Sequence, residues 1–205
     1  STDGGATFTD LTNTAPYSGV TTATLTITNA TVGLTGTQYR AVATNSTGTA
    51  TGTAATLTVT AAPVITTQPT TQTVAAGTNV SLTVAASGTP TPTYQWQVST
   101  NGGASFTDVT NAAPYSGVTT ATLTVTSATV GLTGTQYRAV ATNSAGTATS
   151  AVATLTVTVA AVITTQPTSQ TVAAGTTVSF TVAASGTPAP TYQWQISING
   201  GASFT

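Results

Sequence analysis

Residues 80–96 read VSLTVAASGTPTPTYQW. Two alternating runs lie on either side of a turn. Val80, Leu82 and Val84 share one face of the first run, and Tyr94, Trp96 and Val98 share one face of Thr93–Ser99. A period of two is the signature of a half-buried β-strand. Gly88-Thr89-Pro90 between the runs supplies the turn. The same pattern continues outward. Residues 120–126 offer Ala121, Leu123 and Val125; residues 136–143 offer Tyr137, Ala139 and Ala141; residues 147–157 end on Leu155 and Val157. Turn residues separate these runs, including Asn101-Gly102-Gly103 and Ser116-Gly117, and Asn-Gly between alternating runs signals a hairpin. No segment carries a convincing helical period. About seven short strands in a stretch of this size predict an all-β sandwich with Greek-key connections.

The stretch belongs to a repeat. Shifted by 98 residues the chain overlays itself without a gap, Ser1–Thr107 on Ser99–Thr205, and 18 of the 107 aligned pairs differ. Most differences are mild, such as Leu11/Val109, Ile27/Val125 and Thr7/Ser105. Residues 1–9, STDGGATFT, return as residues 197–205, SINGGASFT. Repetition at a fixed period points to an array of like units.

Composition narrows the chemistry. Only 2% of residues are charged, namely Asp3, Asp10, Asp108, Arg40 and Arg138, and there is no Lys, Glu, His, Cys or Met. Ordinary soluble domains carry roughly 25% charged residues. The chain is nevertheless 39% hydrophobic, enough to build a core. Its wetted faces are coated mainly by Thr, which suits a pleated surface. Nucleic-acid binding needs several phosphate-neutralising Lys or Arg side chains, and a polybasic membrane patch is ruled out likewise. No apolar run approaches the ~20 residues of a membrane-spanning helix. General acid–base catalysis has no His, Glu, Lys or paired Asp to use. Zinc lacks Cys and His ligands, and calcium lacks clustered carboxylates. No cofactor is expected.

At this point the residues resemble a known family. VSLTVAASGTPTPTYQW (80–96) is similar to strands B and C of I-set immunoglobulin domains, including the Gly-x-Pro-x-Pro before the core Trp96. YRAVATNSAGTAT (137–149) resembles their F–G hairpin, which places Tyr137 at the tyrosine corner. ITTQPTTQTVAAG (65–77) resembles strands A and A′. The closest likeness in style is to the immunoglobulin-like modules of large bacterial surface proteins. The departure is at the bridge: the two cysteine positions of the family hold Val84 and Ala139, and Val182 and Ala41 in the neighbouring copies. The resemblance implies a core of Val84, Trp96, Leu123, Tyr137 and Ala139, without the roughly 2–4 kcal/mol of a disulfide.

The phase of the repeat sets expectations for organisation. Residues 62–159 are expected to form one complete domain. Residues 1–61 read as the C′-to-G half of a preceding domain, and 160–205 as the A-to-C part of a following one. Neither part can bury its inner sheet face alone. Either the chain is a window in a longer array or its open strands pair with a neighbouring chain. The sequons at Asn29, Asn45 and Asn79 do not recur at the equivalent place in the next copy, so chance explains them better than glycosylation.

One surface stands out as a candidate weak-binding face. Gln95, Gln97 and Arg138 are expected to point outward from one sheet, with Tyr115 in a nearby loop, and this polar, planar set suits contact with a glycan or a protein. The plainer reading is a solvated face on which Arg138 pairs with Asp108. Taken together, the resemblance and the repetition imply a non-catalytic, extracellular or cell-surface structural repeat of a bacterial protein, forming a stalk, fibre or filament. Its partners would be adjacent repeats or neighbouring chains. Adhesin repeats that bind weakly and multivalently, a filament subunit completed by its neighbour's strands, and an accessory module of an enzyme are the alternatives.

Overall fold

The computed structural model describes all residues, 1–205, and it is built of short strands. Residues 1–60 carry β1 (Tyr17–Ser18), β2 (Thr26–Ile27), β3 (Gln38–Tyr39), β4 (Val42–Asn45), β5 (Gly48–Thr51) and β6 (Ala55–Thr56). Then follow β7 (Ala61–Thr67), β8 (Gln72–Ala75), β9 (Val80–Thr83), β10 (Ala85–Thr89), β11 (Thr93–Ser99) and β12 (Thr107–Asp108). The remainder is β13 (Tyr115–Ser116), β14 (Thr122–Val125), β15 (Gln136–Asn143), β16 (Gly146–Thr149), β17 (Ala153–Thr165) and β18 (Ala183–Thr187). Two single 3-10 turns, Val32–Leu34 and Val130–Leu132, occupy equivalent places in the two copies of TVGLTGT.

The chain gathers into two compact units. The first comprises Ser1–Gln68, Val84–Gln95 and Ala139–Ser150; the second comprises Pro69–Thr83, Trp96–Arg138 and Ala151–Thr205.

The second unit holds the main core. β14 lies antiparallel between β13 and β9, with Leu123 opposite Leu82 and Val125 opposite Val80. A second sheet runs in the order β12-β11-β15-β17-β18, with β8 pairing parallel to β17 through Leu155–Gln72 and Val157–Val74. Alternation places the apolar side chains. β14 buries Leu123 and Val125, and β17 buries Ala153, Leu155 and Val157. With Trp96, Tyr137, Val80 and Leu82 they form a dry layer, every member of which is 2% exposed or less. Burial of each large member is worth about 1.5–3 kcal/mol. Ala121 departs from the pattern read in the sequence: β14 begins at Thr122, and Ala121 is exposed in the turn before it.

That turn shows why a glycine is needed. Gly117 has φ +73, in the left-handed region, and a Cβ there would collide with the Thr122 carbonyl oxygen. Thr120 braces the turn by donating its hydroxyl to the carbonyls of Gly117 (3.0 Å) and Thr122 (2.9 Å). Gly117→Ala is expected to cost about 2 kcal/mol from the φ penalty and the displaced backbone. The check is a lower midpoint of chemical unfolding with an unchanged slope.

In the first unit β7 and β10 form an antiparallel ladder, β15 continues into the hairpin with β16, and β4 and β5 repeat that hairpin in residues 42–51. Val84 and Ala139 are buried here, at the two positions where the resembled family carries its bridge. Ser150 stitches β15: the Ala139 amide donates to Ser150 Oγ (2.9 Å) and the Ser150 amide donates to the Ala139 carbonyl (2.8 Å).

β17 is one continuous strand across residue 160. Nothing in TVTVAAVITT punctuates it: there is no Gly, no Pro and no turn residue to end the extended run.

Candidate functional site

The polar groups of the candidate face come from β11, β12 and β15. Gln97 sits opposite Asp108 in the β11–β12 ladder. Its Nε2 donates to Asp108 Oδ1 at 2.8 Å, and its Oε1 accepts from Arg138 Nε at 2.8 Å. The Arg138 guanidinium carbon lies 4.0 Å from the centroid of the Phe106 ring. The expected Arg138–Asp108 pairing is therefore corrected: the two charges connect through the Gln97 amide. A stacked guanidinium at a solvated site contributes about 0.5–1 kcal/mol. Arg40 stacks on Phe8 in the same way, at 3.9 Å. These groups are occupied with one another, and each bond they make would have to be broken or shared by a ligand.

Tyr115 is not part of this cluster. It lies on β13, in the other sheet, and its hydroxyl meets the Tyr137 hydroxyl at 3.2 Å with the rings edge to face, 6.1 Å apart. Gln95 lies two residues before Gln97 on β11 and is half-buried. Of the four face residues, the structure brings Gln97 and Arg138 into direct contact. Tyr17 and Tyr39 reproduce the tyrosine pair in the first copy, with rings 6.1 Å apart.

Tyr137 is fully buried. Its hydroxyl accepts from Thr135 Oγ1 at 3.0 Å. Burial pushes its phenol above the ordinary tyrosine range; the Tyr115 hydroxyl adds to this, and the bond from Thr135 opposes it. The folded chain thus holds this proton to higher pH than the unfolded chain, whose tyrosines titrate near 10. The stabilisation is fully present below about pH 10 and is lost as pH rises toward the folded value, because the unfolded state then binds fewer protons. Melting temperature should fall above pH 10. In Tyr137→Phe that fall should flatten, and equal slopes in the two chains would exclude Tyr137 as the group responsible.

Trp96 is held on three sides. Its indole Nε1 donates to the Thr120 carbonyl at 3.0 Å, its amide donates to Val118, and its carbonyl accepts from Val109. It is a core residue with a satisfied polar edge. Asn143 is the residue that sequence reasoning passed over. Its Nδ2 donates to the carbonyls of both Ala61 and Pro90 at 2.8 Å, while its Oδ1 accepts from the Ala145 amide. It therefore ties the tip of the β15–β16 hairpin to the start of β7 and to the Pro90 turn. The resemblance placed Asn143 in a hairpin, but the distant carbonyls were not legible. Asn79 is likewise structural, its Oδ1 accepting from the Ser127 amide at 2.9 Å.

The abundant hydroxyls serve the backbone. Thr133 donates to the Val157 carbonyl and accepts from the Val157 amide. Every buried side-chain nitrogen and oxygen has a hydrogen-bond partner, so no buried polar atom is held ready for a reacting group. The acidic residues are not gathered into a cluster that would hold a metal ion. No helix is long and apolar enough to cross a membrane.

This geometry is that of an all-β chain with immunoglobulin-like sheets. The family model of the immunoglobulin domain matches residues 62–143. A stretch of 84 residues, 41% of the chain, is 48% identical to part of endoglucanase C of Cellulomonas fimi, and it spans 7% of that protein's length. Solved structures similar to this chain include a chimeric titin Z1Z2 (TM-score 0.40, 27% identity, 48% of this chain and 96% of that one). Another is the trigonal form of titin M4 (TM-score 0.39, 28% identity, 49% and 99%). A Dscam structure that addresses isoform specificity gives a TM-score of 0.49 at 22% identity, covering 84% of this chain and 46% of that one.

Proposed function

We propose that the chain is a non-catalytic structural repeat, a spacer within an extracellular protein, with residues 62–159 as its complete folding unit. One observation carries the reading: the polar and aromatic groups that would make a site are spent inside the fold, Gln97 on Asp108 and Arg138, Arg138 on Phe106, Tyr115 on Tyr137. The near-identity of successive copies supports it, since length then grows by addition of units. Strands of ~10 residues at about 3.3 Å each, plus turns, give a unit of about 40 Å. Chains carrying one, two and three additional 98-residue repeats should therefore lengthen by a constant step of about that size in small-angle scattering. A maximum dimension that does not grow with repeat number would overturn the spacer.

The match inside endoglucanase C favours a second version, in which such units sit beside a catalytic domain that cleaves a glucan. The spacer reading expects the chain to stay in the supernatant when mixed with insoluble cellulose. Retention would make the repeat a carbohydrate-binding module instead.

A further inference from the structure

The turn that follows β11 occurs three times, with one chemical difference. Residues 99–105 read STNGGAS and residues 197–203 read SINGGAS, whereas residues 1–7 read STDGGAT. In the central copy Asn101 Oδ1 accepts from the Ser99 hydroxyl at 2.8 Å and from the Ser105 amide at 3.0 Å. Gly103 donates its amide to Ser99 Oγ at 2.9 Å. In the first copy Asp3 Oδ1 accepts from the Ser1 hydroxyl at 2.7 Å and from the Thr7 amide at 3.0 Å, and Gly5 donates to Ser1 Oγ at 2.9 Å. The turn is thus built on a carboxamide or on a carboxylate, because both bonds fall on an oxygen that the two groups share. The second side-chain atom is matched by a hydroxyl that rotates: Asn101 Nδ2 donates to Ser105 Oγ, and Thr7 Oγ1 donates to Asp3 Oδ2.

Asn101 is also placed to react. Its side chain is exposed. The next residue is glycine, with no Cβ to shield its nitrogen, and the space beside Gly102 is open. The Gly102 amide donates to no acceptor of the protein. Attack by that nitrogen on the side-chain carbonyl is intramolecular, so proximity favours it. Two other asparagines of the central copy differ on these points. Asn79 precedes Val80, a strand residue, and Asn111 precedes Ala112, whose amide is given to the Thr110 carbonyl.

We propose that Asn101 is a self-modification site, at which the chain deamidates into the form that Asp3 already carries. The Gly102 nitrogen loses its proton to solvent and bonds to Asn101 Cγ. The Cγ–Nδ2 bond breaks, and the side-chain nitrogen leaves as ammonia with a proton from solvent. Water then opens the cyclic imide. Cleavage of the new N–Cγ bond gives aspartate, and cleavage of the original peptide bond gives isoaspartate. One water is consumed, one ammonia is released, and nothing is oxidised or reduced. Each event adds a negative charge to a chain whose formal net charge is -1. Bonds like those from Thr7, which hold the Asp3 carboxyl below the usual carboxylate range, keep the aspartate product ionised and slow to close again. Asn199-Gly200 stands in the same turn, with the same bonds, and follows the same course.

The test is peptide mapping of the full chain after storage at mildly alkaline pH. Cleavage after Arg40 and Arg138 yields residues 1–40, 41–138 and 139–205, each with one copy of the turn. The mass gain of amide-to-acid exchange should appear in the second peptide at Asn101, as aspartate and isoaspartate, and in the third at Asn199. The first peptide should stay unchanged, and isoelectric focusing should show new acidic bands. Gly102→Ala should lose the gain at Asn101 and keep it at Asn199, with a cooperative melt showing that the variant folds. Asn101→Asp should melt with the parent at neutral pH. Its stability relative to the parent should fall as pH drops through about 3.9, because a carboxylate held by the fold loses that stabilisation on protonation. The proposal is overturned by the absence of a gain at Asn101, by an equal gain at Asn79 and Asn111, by its persistence in Gly102→Ala, or by an Asn101→Asp chain that melts well below the parent at neutral pH. None of these results touches the constant length increment per inserted repeat, so the spacer reading fails or stands separately.

Discussion

A Val84→Asp chain is expected to lose the folded central copy at neutral pH. Val84 is 1% exposed, between β9 and β10, and the chain has no Lys or His to meet a new carboxylate. An unpaired buried charge costs several kcal/mol, about 3–5 when judged from broken buried pairs. Small domains have only about 5–15 kcal/mol in all. The cooperative unfolding transition should therefore shift far down or vanish in calorimetry. The sign of its pH dependence is a second check. Burial raises the folded pKa of the introduced carboxyl, so its penalty is smallest below the unfolded value of about 3.9 and grows as pH rises through it. The gap between variant and parent should narrow in acid. A Val84→Ala control removes methyl groups only and should cost about 1–2 kcal/mol. An aspartate variant that melts like the parent at neutral pH would remove residue 84 from the core.

Trp96→Ala should cost about 3–5 kcal/mol, as large-to-small core changes do. It removes the largest buried side chain and leaves the Thr120 carbonyl without its indole donor. Trp194 supplies an internal control. The same substitution there removes a side chain that is 52% exposed and should change the stability of the monomeric chain little. If both substitutions destabilise the monomer equally, the difference in burial between the copies is not what sets their stability.

The contrast between copies also shows what was legible. Alternation along residues 80–84, 120–126 and 136–141 identified which side chains share a face, Ala121 excepted, because a pleated strand sends successive residues to opposite sides. The Asn-Gly-Gly turn was equally plain. It closes on its own side chains wherever it occurs: Asn101 Oδ1 accepts from the Ser105 amide at 3.0 Å, and Asn199 Oδ1 accepts from the Ser203 amide at 3.0 Å. In the first copy Asp3 does the same for the Thr7 amide, and those bonds from Thr7 hold its carboxyl below the usual carboxylate range. Local geometry of this kind needs only neighbouring residues, so it appears in all three copies.

Other features required the assembled sheets. Period two could not show that Tyr115 turns to Tyr137, that Gln97 stands between Arg138 and Asp108, or that Asn143 reaches Ala61 and Pro90 across 82 and 53 residues. Each depends on the register between strands distant in the chain. Trp96 and Trp194 make the division sharpest. They occupy the same place in the same motif, TYQWQ, and the motif alone assigns both to an inner face. Burial is a property of a pair of faces: the tertiary structure brings the opposing strands over Trp96, and residues 160–205 do not include the equivalents of those strands for Trp194.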